Sequence, residues 1–236
     1  MHTLLEVDNL SKTFRIHILG GKVIEGCSGV SFSVAEGGGL GLSGPSGTGK
    51  STVLKCIYRT YLPTGGDIWY DSIAYGRINL ARTADPVVLE IRNKEVGYVS
   101  QFFRVIPRVS AIEIVAEPLL TRKGLSEGEA KKSAADILER LNIPANLFDA
   151  YPSTFSGGEQ QRLNIARAVI WKPRLLLLDE PTASLDKDSI AVVIGLLREL
   201  RDQGTSVIGI FHDNGLMTSI TDRTYRVKQE GIYAVQ

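Results

Sequence analysis

A lysine and a serine closing a glycine-rich turn are the strongest chemical signal in this chain. Residues 44–51 read GPSGTGKS, which fits the spacing G-x-x-x-x-G-K-[ST]. Gly44, Gly47 and Gly49 let backbone N–H groups turn inward around an anion, with Pro45, Ser46 and Thr48 filling the loop between them. Lys50 reaches terminal phosphates as a compact positive charge. The Ser51 hydroxyl is a hard oxygen ligand suited to Mg²⁺. A helix beginning near Lys50, with Thr52 in its first turn, adds the positive end of its dipole. The whole run 44–52 is therefore an expected contact surface for a nucleotide triphosphate.

Three further groups of residues bear on the same chemistry. Asp179 and Glu180 close the run RLLLLDE, at the end of a buried strand where an α/β sheet exposes its ligands. Asp179 can hold Mg²⁺ and Glu180 can act as a general base toward water. Ser156, Gly157 and Gly158 precede a helical stretch and form a second anion-binding terminus. One nucleotide rarely needs two such cradles in one chain. Gln101 after GYVS, His212 in IFHD and Phe14 in SKTF each have a plain structural reading as a cap, a loop histidine and a core aromatic.

The elements that must position these residues follow from periodicity and punctuation. Leu4–Val7, Lys12–Ile18 and Val30–Val34 read as strands, with Gly20-Gly21 as a turn. Residues 36–42, EGGGLGL, must feed the phosphate loop, yet glycine weakens strand interiors. Lys50–Thr60 reads as a helix, Asp67–Tyr70 as a strand, Pro86–Asn93 as a short helix and Val96–Ser100 as a strand. Ser110–Leu120 and Ser126–Leu141 are helices, the second opened by a capping box of Ser126 and Glu129. The continuous apolar run Arg174–Asp179 is a strand buried on both faces. Ser189–Arg201 is a helix and Thr205–Phe211 the next strand. Strand–helix alternation implies a parallel α/β core. A helical region spanning about 104–170 is inserted in it, within one domain covering 1–236.

Composition narrows the function classes. A net charge of +1 gives no electrostatic case for nucleic acid or anionic membrane. The only two cysteines, Cys27 and Cys56, suggest a reducing compartment without a disulfide framework. No apolar run approaches the ~20 residues of a membrane span, so a cytoplasmic protein without direct membrane insertion is expected.

Taken in order, the motifs resemble those of ATP-binding cassette (ABC) ATPases. GPSGTGKS is similar to Walker A and LLLLDE to Walker B. FSGGE, residues 155–159, resembles the LSGGQ signature, with Phe155 and Glu159 as departures. The resemblance implies a P-loop α/β fold with an antiparallel β subdomain and an inserted helical subdomain. It implies Mg²⁺-dependent ATP hydrolysis and assigns roles. Phe14 stacks on adenine. Gln101 is the Q-loop residue, and with Ser51 and Asp179 it ligates the metal. His212 contacts the γ-phosphate, and Asp186 lies in the D-loop. Ser156, Gly157, Gly158 and Glu159 reach the ATP of a second ABC protomer in a head-to-tail dimer.

The stretches GYVSQFFRVIPRVSAIEIVAEPLL, PSTFSGGEQQRLNIARA and GIFHD also look like the L-subunit family of bacterial carbon–phosphorus lyase systems. That resemblance implies phosphonate catabolism, forming ribose 1-methylphosphonate 5-triphosphate with carbon–phosphorus lyase core subunits as partners. Two rivals stand beside it. One is the nucleotide-binding subunit of a membrane transporter of the lipoprotein-release or efflux type, where the Gln101–Leu119 stretch is equally at home. The other is a soluble ABC regulator, disfavoured by the near-neutral charge. The Gln101–Pro118 stretch is the expected partner-docking surface, with Phe102, Phe103, Arg104 and Arg108 as its candidate residues.

Overall fold

The computed structural model describes residues 2–16, 22–103 and 106–227. The expected turn at Gly20-Gly21 and the candidate docking residue Arg104 lie outside the described residues. Two sheets and a set of helices make up the rest.

The first sheet is antiparallel, in the order β2-β1-β4-β5. Its strands are β1 (Thr3–Ile16), β2 (Lys22–Ala35), β4 (Gly65–Ser72) and β5 (Gly76–Asn79). The two short strands expected around residues 8–11 are one continuous strand. Asn9 takes φ +47° and its N–H bonds the Ser31 hydroxyl at 2.8 Å, so the chain bulges there without leaving the sheet.

The second sheet is parallel, in the order β6-β7-β8-β3-β9. It comprises β3 (Gly39–Ser43), β6 (Val96–Val99), β7 (Leu175–Asp179), β8 (Ser206–Ile210) and β9 (Arg223–Arg226). Along β7, Leu175 and Leu177 enter one apolar cluster, shared with β1, β2, β4 and helix α1 (Lys50–Ile57). Leu176 and Leu178 enter a second cluster on the other face, shared with α3 (Ala111–Lys123), α4 (Glu127–Arg140), α5 (Gly157–Val169) and α6 (Lys187–Asp202). The continuous run of leucines is thus the consequence of a strand covered on both sides. The remaining helices are α2 (Asp85–Lys94) and the short α7 (Asn214–Thr218).

The glycine-rich strand before the phosphate loop has a steric explanation that propensity hides. A Cβ on Gly39 would come within 2.7 Å of the Ile220 carbonyl oxygen, and one on Gly41 within 2.5 Å of the Met217 sulfur. Only glycine lets β3 lie this close to α7 and the turn after it. The strand starts at Gly39, because Glu36 and Gly37 form a turn.

A buried polar knot ties the two sheets together. Glu95, 3% exposed, accepts bonds from the Ser72 hydroxyl at 2.7 Å, the Tyr70 hydroxyl at 3.1 Å and the Ile73 N–H at 3.1 Å. Arg174 stands 3.7 Å away as its counter-charge. Arg174 was expected as the first residue of the buried strand. It sits just before β7 instead, and its guanidinium spans from Glu36 to Asp71.

Both cysteines are buried. Burial raises the Cys27 thiol to about 11 and the Cys56 thiol to about 12. At pH 8 the Cys27 thiolate fraction is then about 10⁻³, and that of Cys56 lower still. Iodoacetamide at pH 8 should therefore leave both thiols unlabelled in the native protein and label both in denaturant. Rapid native labelling of either would contradict this burial.

Candidate nucleotide site

Three strand ends converge on the loop 44–49. The β6–β7 register pairs Val99 with Leu178, and the β7–β8 register pairs Asp179 with Ile210. Continuing each strand by one or two residues places Gln101, Glu180 and His212 side by side beyond the sheet. The side chains meet there. Gln101 Nε2 donates to Glu180 Oε2 at 2.8 Å, and His212 Nε2 lies 2.8 Å from the same oxygen. Glu180 holds φ +53°, a left-handed conformation costly for a residue with a Cβ. Its N–H bonds the Ile210 carbonyl at 3.0 Å, which fixes that turn against β8.

Asp179 is 2% exposed and fully engaged. Its Oδ1 accepts from the Ser51 hydroxyl at 2.7 Å and its Oδ2 from the Tyr98 hydroxyl at 2.9 Å. Tyr98 is a functional neighbour that the sequence reading did not single out. Burial and the adjacent Asp179 raise its phenol, so it stays a neutral donor. Its place one β6 position away from Val99 was the available signal.

The loop itself is built by glycine. Gly44, Gly47 and Gly49 take φ +138°, +81° and +88°. A Cβ on Gly49 would sit 1.7 Å from the Gly26 carbonyl oxygen, whereas one on Gly47 would meet nothing within 4 Å. Lys50 Nζ donates to the carbonyls of Gly44 and Pro45, both at 2.8 Å, so its ammonium closes the loop from within. The Thr48 hydroxyl caps the Pro45 carbonyl at 2.9 Å. Ser46, Lys50, Glu180 and His212 line one cleft of about 620 Å³. Thr52 follows on α1.

The donor set suits a hard divalent cation. The Ser51 hydroxyl meets the buried Asp179 carboxylate at 2.7 Å, and the Gln101 carboxamide meets the next residue, Glu180, at 2.8 Å; all of these groups can offer oxygen.

The second cradle is a formed cap. Ser156 N–H and hydroxyl donate to Glu159 Oε2, both at 2.8 Å, and the Glu159 N–H returns to the Ser156 oxygen at 3.3 Å. The Ser156 hydroxyl bond holds the Glu159 carboxyl below its usual range. The departure Glu159 is thus the closing half of a capping box, directly beside Gly157 and Gly158. Among the described residues no hydrogen bond or ion pair joins this cap to the loop 44–49. Asp186 caps α6 by accepting from the Ser189 N–H at 2.8 Å, which lowers its carboxyl pKa. Phe14 meets Tyr61 edge to face, with centroids 5.1 Å apart and the Lys12 ammonium 5.0 Å from its ring centre.

Residues 27–183 match a protein-family model described as ABC transporter. The chain belongs to the ABC transporter ATPase family. It is an ATPase, and its cofactors are ATP and Mg²⁺. The P-loop cassette fold is shared with MJ0796, solved as a dimer in a post-hydrolysis state with ADP and Pi. That likeness has a TM-score of 0.86 at 31% identity over 95% of this chain and 94% of the other. The lipoprotein-releasing system ATP-binding protein LolD of Shewanella frigidimarina is 38% identical over 98% of this chain and 92% of its own length. The arginine transport ATP-binding protein ArtP of Haemophilus influenzae is 34% identical over 85% and 81%.

These relatives correct the finer expectation. The resemblance to the carbon–phosphorus lyase L-subunit family, and the phosphonate role and core-subunit partners it implied, do not stand. Full-length similarity runs to ATP-binding proteins of transport systems. The stretches that suggested a lyase subunit surround the Gln101, Ser156 and His212 motifs, which any cassette of this family needs. They discriminate chemistry, not assembly.

Proposed function

We propose that this chain is the nucleotide-binding subunit of a membrane transport system. The observation that carries the reading is the 38% identity with a lipoprotein-releasing ATP-binding protein across nearly the whole chain. Among the described residues no helix is long and apolar enough to cross a membrane, so the membrane-crossing part of the system lies outside them. The whole span 1–236 acts as one cassette, with residues 104–170 as its helical lobe and a cytoplasmic, membrane-peripheral placement.

In this reading the run 44–52 holds the phosphates of ATP through Lys50 and the N–H groups of its non-proline residues, Pro45 shaping the loop, and Phe14 supports the base. Mg²⁺, when bound, neutralises phosphate charge, and Ser51, Gln101 and Asp179 would hold it. Glu180 accepts a proton from the attacking water. His212 orients Glu180 and reaches the terminal phosphate. Ser156, Gly157, Gly158 and Glu159 serve the ATP of a second protomer, with Asp186 at the same interface. That the cap is bonded within itself and not to the loop 44–49, among the described residues, supports a two-chain site.

The membrane subunit docks on the segment after Gln101. Phe102 is 76% exposed and Arg108 is exposed, whereas Phe103 packs partly against the helical core. Of the two phenylalanines, Phe102 is the more exposed to a partner. Exposed aromatics and arginines are what interface hot spots favour. The Phe102→Asp, Arg108→Glu double variant should keep its melting temperature and fail to co-purify with the cognate membrane subunit from detergent extracts. Undiminished co-purification by the folded double variant would contradict this surface.

A further inference from the structure

Helix α5 carries the Ser156 cap at its N-terminus and sends two buried amides toward the other loops. Gln161 is 2% exposed and Asn164 8%. Their i, i+3 spacing puts them on one helix face. Gln161 Nε2 donates to the Pro181 carbonyl at 3.2 Å and to the Ser100 carbonyl at 3.4 Å. Asn164 Nδ2 donates to the Ser100 carbonyl at 2.9 Å. Ser100 directly precedes Gln101, and Pro181 directly follows Glu180. The Gln101–Glu180 bond of 2.8 Å therefore lies between two carbonyls held by one helix.

Sheet hydrogen bonding does not do this work. The β6–β7 ladder ends at the pair Val99–Leu178, so Ser100 and Pro181 lie beyond it. Apolar side chains would be cheaper to bury at both α5 positions. Two amides there are accounted for by the carbonyls they satisfy. Glu180, in its left-handed conformation, is then fixed from both sides, by Ile210 through its own N–H and by Gln161 through Pro181.

We infer that Gln161 and Asn164 are positioning residues for hydrolysis, setting the Gln101–Glu180 geometry from the helix behind it. This rests on the roles given to Gln101 and Glu180 above. The clamp also joins the cap presented to a second protomer with the groups that act on this chain's own ATP, through a single rigid helix.

The test uses Gln161→Met, which keeps the volume and removes the donors, and Asn164→Ala, which removes the bonds to Ser100 and the 3.4 Å bond to Gln161 Oε1. Steady-state ATPase, ATP affinity by calorimetry and melting are measured on the full chain. Displacing reacting groups by around an ångström costs up to about 10²-fold, so kcat should fall by about 10- to 100-fold for Gln161→Met, with ATP affinity within about threefold of the parent. In a Gln101→Ala background the same substitution should cost little more, because residues acting as one unit are not additive. A folded Gln161→Met protein with parental kcat overturns the inference. So does a loss that multiplies in full with that of Gln101→Ala. If Gln161→Met fails to fold, Asn164→Ala carries the same cycle with the same outcomes. Parental turnover by Glu180→Gln would instead defeat the assignment of the pair itself. An inactive Glu180→Gln beside a fully active Gln161→Met would defeat only the clamp.

Discussion

Glu180→Gln lowers ATP turnover by about 10²–10⁴-fold while ATP binding persists, because a positioned base contributes that much to proton transfer. The substitution keeps an acceptor oxygen for Gln101 and for His212, both 2.8 Å from the native carboxylate. It removes the carboxylate charge and, with it, the capacity to take a proton. The left-handed turn at residue 180 is held by the backbone bond to Ile210 and survives the change. Single-turnover assays with excess enzyme separate this from slow product release. A variant that turns over ATP at the parental rate would show that the proton goes elsewhere.

The second large effect is steric. Gly49→Ala places a Cβ 1.7 Å from the Gly26 carbonyl, in a conformation with φ +88°. Left-handed backbone costs an alanine roughly 1–2 kcal/mol, and overpacking adds about 1–3 kcal/mol. A loss of about 2–5 kcal/mol lowers the melting temperature by on the order of 10 °C in a chain of this size. ATP affinity falls as well, since β2 and the loop cannot both keep their places. Gly47→Ala is the internal comparison. It shares a positive φ of +81° but meets nothing within 4 Å, so it bears only the backbone cost. Equal melting temperatures for the two variants would contradict the contact with Gly26.

Legibility in the sequence followed the range of the interactions. The loop 44–51, the buried run ending in Asp179 and Glu180, and the cap at Ser126 are local patterns. Each is decided by neighbours within a few residues, and each was readable. What could not be read depended on contacts across the sheet. The glycines of β3 look like poor strand residues until Met217 and Ile220 are placed against them. Tyr98, Gln161 and Asn164 matter through bonds to residues 20 to 81 positions away. The bulge at Asn9 joins two apparent strands because Ser31 satisfies its N–H. The partner assembly was misread for a different reason. The motifs report phosphate chemistry common to the family, and a partner is not chosen by that chemistry.

The most direct measurement of the central claim is the molar mass of Glu180→Gln in solution, by light scattering with Mg²⁺ and either ATP or ADP. If the Ser156 cap of one chain completes the ATP site of another, the 25.7 kDa chain doubles its mass with ATP and remains a monomer with ADP. A variant that binds ATP by calorimetry yet stays monomeric at every ATP concentration would contradict the two-chain site.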